Sequence, residues 1–362
     1  MSTIHPDTFA QLHYFFPRMM FGGTEWGEIV HVCRDIDPVV QTDPPRFWTQ
    51  WFEAWKHRGD TWMAESRDQS PDEAARTRLQ AAAAYHWAEF MFFQDTDRKE
   101  QCRREVAEAF RLAAPALPTA SEPVRITFGP HTLPGYLFHA RAEGPAPTVV
   151  LINGLDSAKE VELYQFARYF LRQGISCLIF DGPGQGELLG KSAMHCPFEA
   201  VMDEVLAVLK SHRRVDPNRL GVFGVSFGGL LALRCLAAHA DAFRAAINLS
   251  GAFDVRNYRE INPRVRHDFR YVFKAGGDDE MAALAERQLT VSDLPAPRGQ
   301  ILCIHGGNDM VFPADNCQRI AAWAGPDKTG TMLYPDEAHV CQNYFFDFMP
   351  KAAKWMRARL ET

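Results

Sequence analysis

The sequence has no CxxC pair, no His/Cys cluster and no run of Lys and Arg interleaved with aromatics among its 362 residues. Its eight cysteines (Cys33, Cys102, Cys177, Cys196, Cys235, Cys303, Cys317 and Cys341) stand singly, which argues against a disulfide frame or a zinc site and reads as buried thiols in a reducing cytoplasm. A net charge of -6 leaves no basic field to gather phosphates, so nucleic acid is set aside as a partner. No apolar stretch reaches the ~18 residues a membrane span needs. The opening, "MSTIHPDTFAQLHYFFPRMM", lacks a basic segment followed by a clean apolar run. Neither secretion nor membrane insertion is expected. Serine is scarce too, with 11 in the chain, so one enclosed by glycines asks for a reason.

What is present suits a globular chain long enough for two domains, with 46% hydrophobic and 23% charged residues. The pattern changes near residue 120. Before that point it is helical: residues 71–95, "PDEAARTRLQAAAAYHWAEFMFFQD", contain no internal Gly or Pro and open with two acidic residues. Six of the eight tryptophans lie in this first third. Trp48, Trp51, Phe52 and Trp55 share one helical face, a core stripe or the wall of an aromatic pocket. "APALPTASEP", residues 114–123, is a Pro-rich joint of the kind that separates domains. After it, short apolar runs ("VRITF", "GYLFHA", "TVVLING", "SCLIFDG", "RLGVFGVS", "AAINLSG", "QILCIHG", "TMLYP") alternate with helical ones. That alternation predicts an α/β fold with a mostly parallel sheet, the first two strands forming an antiparallel edge hairpin. Chemistry is expected beyond the carboxyl ends of the strands.

Residues 221–230, "GVFGVSFGGL", set Ser226 between Gly224 and Gly228, after an apolar run and before a helical one. A nucleophile raised above a sheet needs a sharp strand-to-helix turn with no room for side chains two residues to either side. A GxSxG arises by chance roughly 0.05 times in a chain of this composition, so its strand and helix context decides the reading. A serine hydroxyl reacts only when a base takes its proton and a carboxylate fixes that base. Downstream, "ILCIHGGNDMVFP" presents Asp309 after one strand and "GTMLYPDEAHVCQNYF" presents His339 after the next. Ser226, Asp309, His339 is the chain order of an α/β-hydrolase. Asp254, after "AAINLSG", is a rival acid, and His305 is read as a structural strand-end residue. Two N–H donors are needed for the oxyanion: Phe227, at the start of the elbow helix, and Leu155, in "LINGLDS". "DGPGQGE", residues 181–187, lacks a Lys-Ser/Thr pair and fails the GxGxxG spacing, so it reads as a structural turn beside the site.

"TVVLINGLDSAKE", "LIFDGPGQGE", "GVSFGG" and the aromatic helical first third together resemble the α/β-hydrolase subgroup that includes dihydroxypseudooxynicotine hydrolase, a fungal pigment-pathway hydrolase that shortens a polyketide chain, and FrsA-like proteins. The resemblance implies a helical N-terminal lid domain over residues 1–120 and an α/β-hydrolase catalytic domain over 121–362. It also implies a Ser226–His339–Asp309 triad without cofactor or metal, homodimers, and a small-molecule substrate. The reaction implied is cleavage of a carbon–carbon bond beside a ketone in an aromatic or polyketide-like molecule. In the nicotine-degrading member of that subgroup a further acidic residue lies on the segment after the sixth core strand. The matching stretch, "GAFDVRNYREINP", offers Glu260, with Asp254 as the other candidate. The same triad would serve a carboxylesterase, a thioesterase or an acyl transferase or cyclase. A non-catalytic FrsA-like binding module is the alternative of another class, and the presence of all three triad residues argues against it.

Overall fold

The computed structural model describes residues 3–361 and divides into two units at the Pro-rich joint. One holds the residues up to Ala120 together with Glu160–Gln165; the other holds Ser121–Lys159 and the chain from Phe166 onward. The short segment Glu160–Gln165, expected in the catalytic domain, thus belongs with the helices.

The longest helices of the first unit are Pro44–Glu65, Pro71–Phe90 and Thr96–Ala113. Pro71 occupies the first turn behind a capping box in which Ser70 and Glu73 satisfy each other's backbone donors. The helix predicted over 71–95 stops at Phe90, because Asp95 instead caps the next helix, accepting from the Arg98 N–H at 3.1 Å. Trp48, Trp51, Phe52 and Trp55 are all buried. The Trp51 and Trp55 rings lie 5.8 Å apart and the Trp51 indole N–H donates to the Trp87 carbonyl at 2.7 Å. These partners belong to the same unit, so the stripe is core rather than pocket wall.

Beneath the aromatics runs a chain of buried charge. Arg18 makes a two-pronged pair with Glu162 at 2.9 and 3.0 Å, and His86 reaches Glu162 at 3.0 Å through Nε2 and Glu89 at 3.1 Å through Nδ1. Lys99 and Arg103 close the far end on Glu89. Burial alone would raise both carboxyls, but Arg103 and Lys99 pull Glu89 down to about 2, and Arg18 and His86 do the same for Glu162. Each contributes stability that is complete above the ordinary value of 4.5 and is lost as pH falls toward 2. Circular dichroism should therefore record loss of helix in that acid window. Glu89→Gln should be less stable at neutral pH and lose less on acidification. A wild-type profile flat down to pH ~2 contradicts this account.

The second unit is built on eight strands: β1 (Ser121–Phe128), β2 (His131–Phe138), β3 (Ala146–Ile152), β4 (Ser176–Phe180), β5 (Val215–Val225), β6 (Phe243–Leu249), β7 (Gln300–Gly306) and β8 (Thr329–Tyr334). Their order is β1-β2-β4-β3-β5-β6-β7-β8. β2 runs antiparallel to both neighbours and all other pairs are parallel, as the alternation of the sequence predicts. β3 and β4 are buried at every residue, which is why they read as unbroken apolar runs. Ile152 pairs with Gly224, so the end of β3 lies beside the end of β5 and brings their following loops together. No helix among the described residues is long and apolar enough to cross a membrane. All eight cysteines are unpaired.

Candidate active site

Ser226 follows the last residue of β5 and holds φ 56°, ψ −126°, in the region that favours glycine. The turn packs this tightly only because glycines flank the serine. A Cβ at Gly224 would sit 2.0 Å from the Gly228 carbonyl oxygen, and one at Gly228 would sit 2.4 Å from that of Asn153. The Ser226 N–H donates to the Leu249 carbonyl at 2.8 Å, which ties the elbow to the end of β6. At Gly154 the space is looser: a Cβ would make ordinary contact, 3.4 Å from Val225 O and 3.5 Å from Ser226 Cβ. The loop after β3 nonetheless lies against the serine.

His339 sits on the turn after β8, with its side chain 20% exposed and so within reach of a substrate. Its Nε2 is 2.8 Å from Ser226 Oγ and its Nδ1 is 2.7 Å from Asp309 Oδ2. A carboxylate accepts only, so Nδ1 carries the proton and Nε2 is left to accept from the serine hydroxyl. The turn is anchored beyond the histidine, where the Val340 N–H donates to Ser250 Oγ at 3.0 Å and Val340 and Cys341 take positive φ. Asp309 is buried, and its Oδ1 accepts the N–H groups of Val311 and Phe312 at 2.8 and 2.9 Å. Burial would raise this carboxyl, but His339 and, after it, His305 and the Phe312 N–H hold it below the usual carboxylate range. An ionised acid, an oriented imidazole and a hydroxyl in line form a relay that can strip the serine of its proton as it attacks.

His305, read from sequence as a strand-end residue, is buried behind the acid. Its Nε2 donates to the Phe312 carbonyl at 2.7 Å and lies 3.4 Å from Asp309 Oδ2. Gly306 and Gly307 also went unassigned in the sequence. A Cβ on them would fall 2.2 Å from Ala338 O and 2.3 Å from Pro335 O, so they let the histidine turn pack onto the acid turn. The double glycine before Asp309 was the available signal.

The rival acid Asp254 is buried but committed elsewhere, paired with Arg319 and lying 3.5 Å from Arg256. It does not join the Ser226–His339–Asp309 chain. Glu260 is the exposed last residue of the 3₁₀ turn Tyr258–Glu260, and its carboxylate makes no hydrogen bond among the described residues. Phe227 and Leu155 are buried, and neither backbone N–H is hydrogen-bonded among the described residues, as donors reserved for an anion must be. Asp181 and Glu187 are carboxylates of the kind that hold cations, but Lys159 Nζ already sits on both, at 2.6 and 2.8 Å. A cavity of about 560 Å³ opens in the helical unit between Gly22, Arg76 and Gln165; none of the three relay residues lines it.

Residues 46–255 match the family described as esterase FrsA-like, and residues 169–361 match the prolyl oligopeptidase family. The 2,6-dihydropseudooxynicotine hydrolase of Paenarthrobacter nicotinovorans is 26% identical over 340 residues, covering 91% of this chain and 90% of that one. Hydrolase LUC6 of a Fusarium species is 30% identical over 273 residues, covering 70% of this chain and 63% of that one. The crystal structure of 2,6-dihydroxy-pseudo-oxynicotine hydrolase matches the fold with a TM-score of 0.86 at 22% identity, over 95% of each chain. The chain belongs to the esterase FrsA-like family, and it is a hydrolase of the α/β-hydrolase fold.

Proposed function

We propose that Ser226 is the nucleophile of a serine hydrolase, with His339 as its base and Asp309 as the acid that orients the base. The observation that carries this reading is the continuous hydrogen-bond chain of 2.8 and 2.7 Å from hydroxyl to imidazole to carboxylate. Phe227 and Leu155 N–H groups receive the oxyanion formed when the serine adds to a carbonyl. The substrate proposed is a small aromatic or polyketide-like ketone, cleaved between its carbonyl carbon and a ring or enol carbon. Likeness to 2,6-dihydropseudooxynicotine hydrolase along nine-tenths of both chains supports that choice. The aromatic stripe of the first unit does not, since it is core.

Carbon–carbon cleavage asks more than ester hydrolysis. The electron pair of the breaking bond goes to carbon, so the leaving group must delocalise it and take a proton as it departs. His339, protonated at Nε2 by the serine, is the acid in place. Water then hydrolyses the acyl-serine. The helical unit acts as the lid that keeps bulk water from the carbanion. A second reading, a carboxylesterase, draws on the family description itself.

The two are separated by offering the purified enzyme acylated phenolic ketones and p-nitrophenyl esters. Ketones should be turned over much faster. Esters handled at ~10⁷ M⁻¹s⁻¹ with ketones untouched would establish the esterase instead. Glu260 enters as an auxiliary acid. On that assignment Glu260→Gln depresses ketone cleavage more than residual ester hydrolysis, and equal effects on both remove it from the mechanism.

A further inference from the structure

Two motifs of the sequence, "NGLDSAKE" and "DGPGQGE", have no part in the relay, yet they meet beside it. The first follows β3 and contains Leu155; the second follows β4, the strand paired to β3. Gln185 Nε2 donates to the carbonyls of Asn153 and Gly154 at 3.0 and 3.1 Å. The Gly154 carbonyl and the Leu155 N–H are opposite ends of one planar trans peptide. Whatever holds that oxygen therefore aims that N–H. Gln185 is itself held: its Oε1 accepts from the Gly182 N–H at 3.3 Å and its own N–H donates to Gly182 O at 3.0 Å.

Behind it lies a buried charged brace. Asp181 Oδ1 accepts from Asn153 Nδ2 at 2.9 Å, and Oδ2 accepts from Lys159 Nζ at 2.6 Å and the Glu187 N–H at 3.1 Å. Asn153, Lys159, Asp181 and Gln185 are almost wholly buried. Gly186 has φ +47°, and a Cβ there would fall 2.1 Å from the Asp181 carboxylate, so this carboxylate fills the space a side chain would need. A buried ion pair is a weak source of stability. What this one supplies is position: it ties the chain on both sides of Leu155, at Asn153 and Lys159, to the end of β4.

We infer that Gln185, braced by Asn153, Asp181 and Lys159, is a positioning residue that sets the direction of the Leu155 N–H at the reaction centre. The inference rests on the reading of Ser226 as nucleophile. A fluorophosphonate tests both, because its phosphonyl oxygen takes the place of the oxyanion once Ser226 displaces fluoride. Rates of inactivation give kinact and KI separately. Gln185→Met keeps the shape and removes the donor. It should lower kinact by about 10- to 100-fold, less than the ~10²–10³ of deleting a donor outright, with KI and Tm near wild type. Gln185→Glu, which turns an acceptor toward two carbonyls, should lose more, and Gly186→Ala should lower kinact by displacing Asp181. Gln185→Met within twofold of wild type, or a loss only in proportion to unfolded protein, overturns the positioning role. A wild-type enzyme that is not labelled at all overturns the nucleophile reading, and this inference with it.

Discussion

Ser226→Ala and His339→Ala each lower turnover by about 10⁴-fold or more while leaving the fold intact, because the two act as one unit with Asp309. Alanine retains the Cβ that the elbow already accommodates, and the backbone bond from residue 226 to Leu249 needs no side chain. A fluorophosphonate should label wild type and not Ser226→Ala; equal labelling of both ends the reading. Asp309→Asn should lose a comparable factor of about 10⁴, since an amide nitrogen facing Nδ1 favours the tautomer that cannot accept the serine proton. Asp254→Asn is the internal control. Its carboxylate serves Arg319 and Arg256, so any loss should follow stability and not the pH dependence of turnover. If it suppresses activity more than Asp309→Asn, the acid has been misassigned.

Removing residues 1–120 should abolish both activity and recoverable folded protein. The segment Glu160–Gln165 would lose the helices it belongs with, and Glu162 would lose Arg18 and His86. Val161 and Leu163, buried in the same segment, would be uncovered as well. A gentler variant separates folding from the proposed lid. Arg18→Met together with Glu162→Gln removes both charges of this pair and keeps an acceptor for His86, so it should fold and still label at Ser226. A truncated chain that is soluble and labels at the wild-type rate contradicts any role for the helical unit in catalysis.

The parallel strands were legible in the sequence because burial on both faces leaves an unbroken apolar signature, as in β3 and β4. The elbow was legible because its two glycines answer a local steric demand within five residues. Asp309 and His339 were found by chain order, and the structure brings them onto Ser226. What the sequence could not express were contacts between distant turns. Gln185 gripping a carbonyl 31 residues away leaves no periodic trace, nor does Glu162 pairing with Arg18 at a separation of 144. The glycines at 306 and 307 were visible, but their use depends on where the 335–339 turn comes to rest. Glu260 marks the opposite case: a resemblance named the residue, and its exposed side chain supplies no local reason for a role.

The backbone of Ser226 carries one more implication. At φ 56° a residue with a Cβ is strained by about 1–3 kcal/mol. Glycine relieves that strain, and the entropy it adds to the unfolded chain takes back only about 0.5–1 kcal/mol. By backbone strain alone, position 226 prefers glycine. Under mutational drift, therefore, a descendant no longer selected for turnover has a downhill route open at this codon: it can exchange its hydroxyl for a better-folded elbow. If Ser226 is the proposed nucleophile, its serine is held against that gradient by turnover and not by backbone comfort.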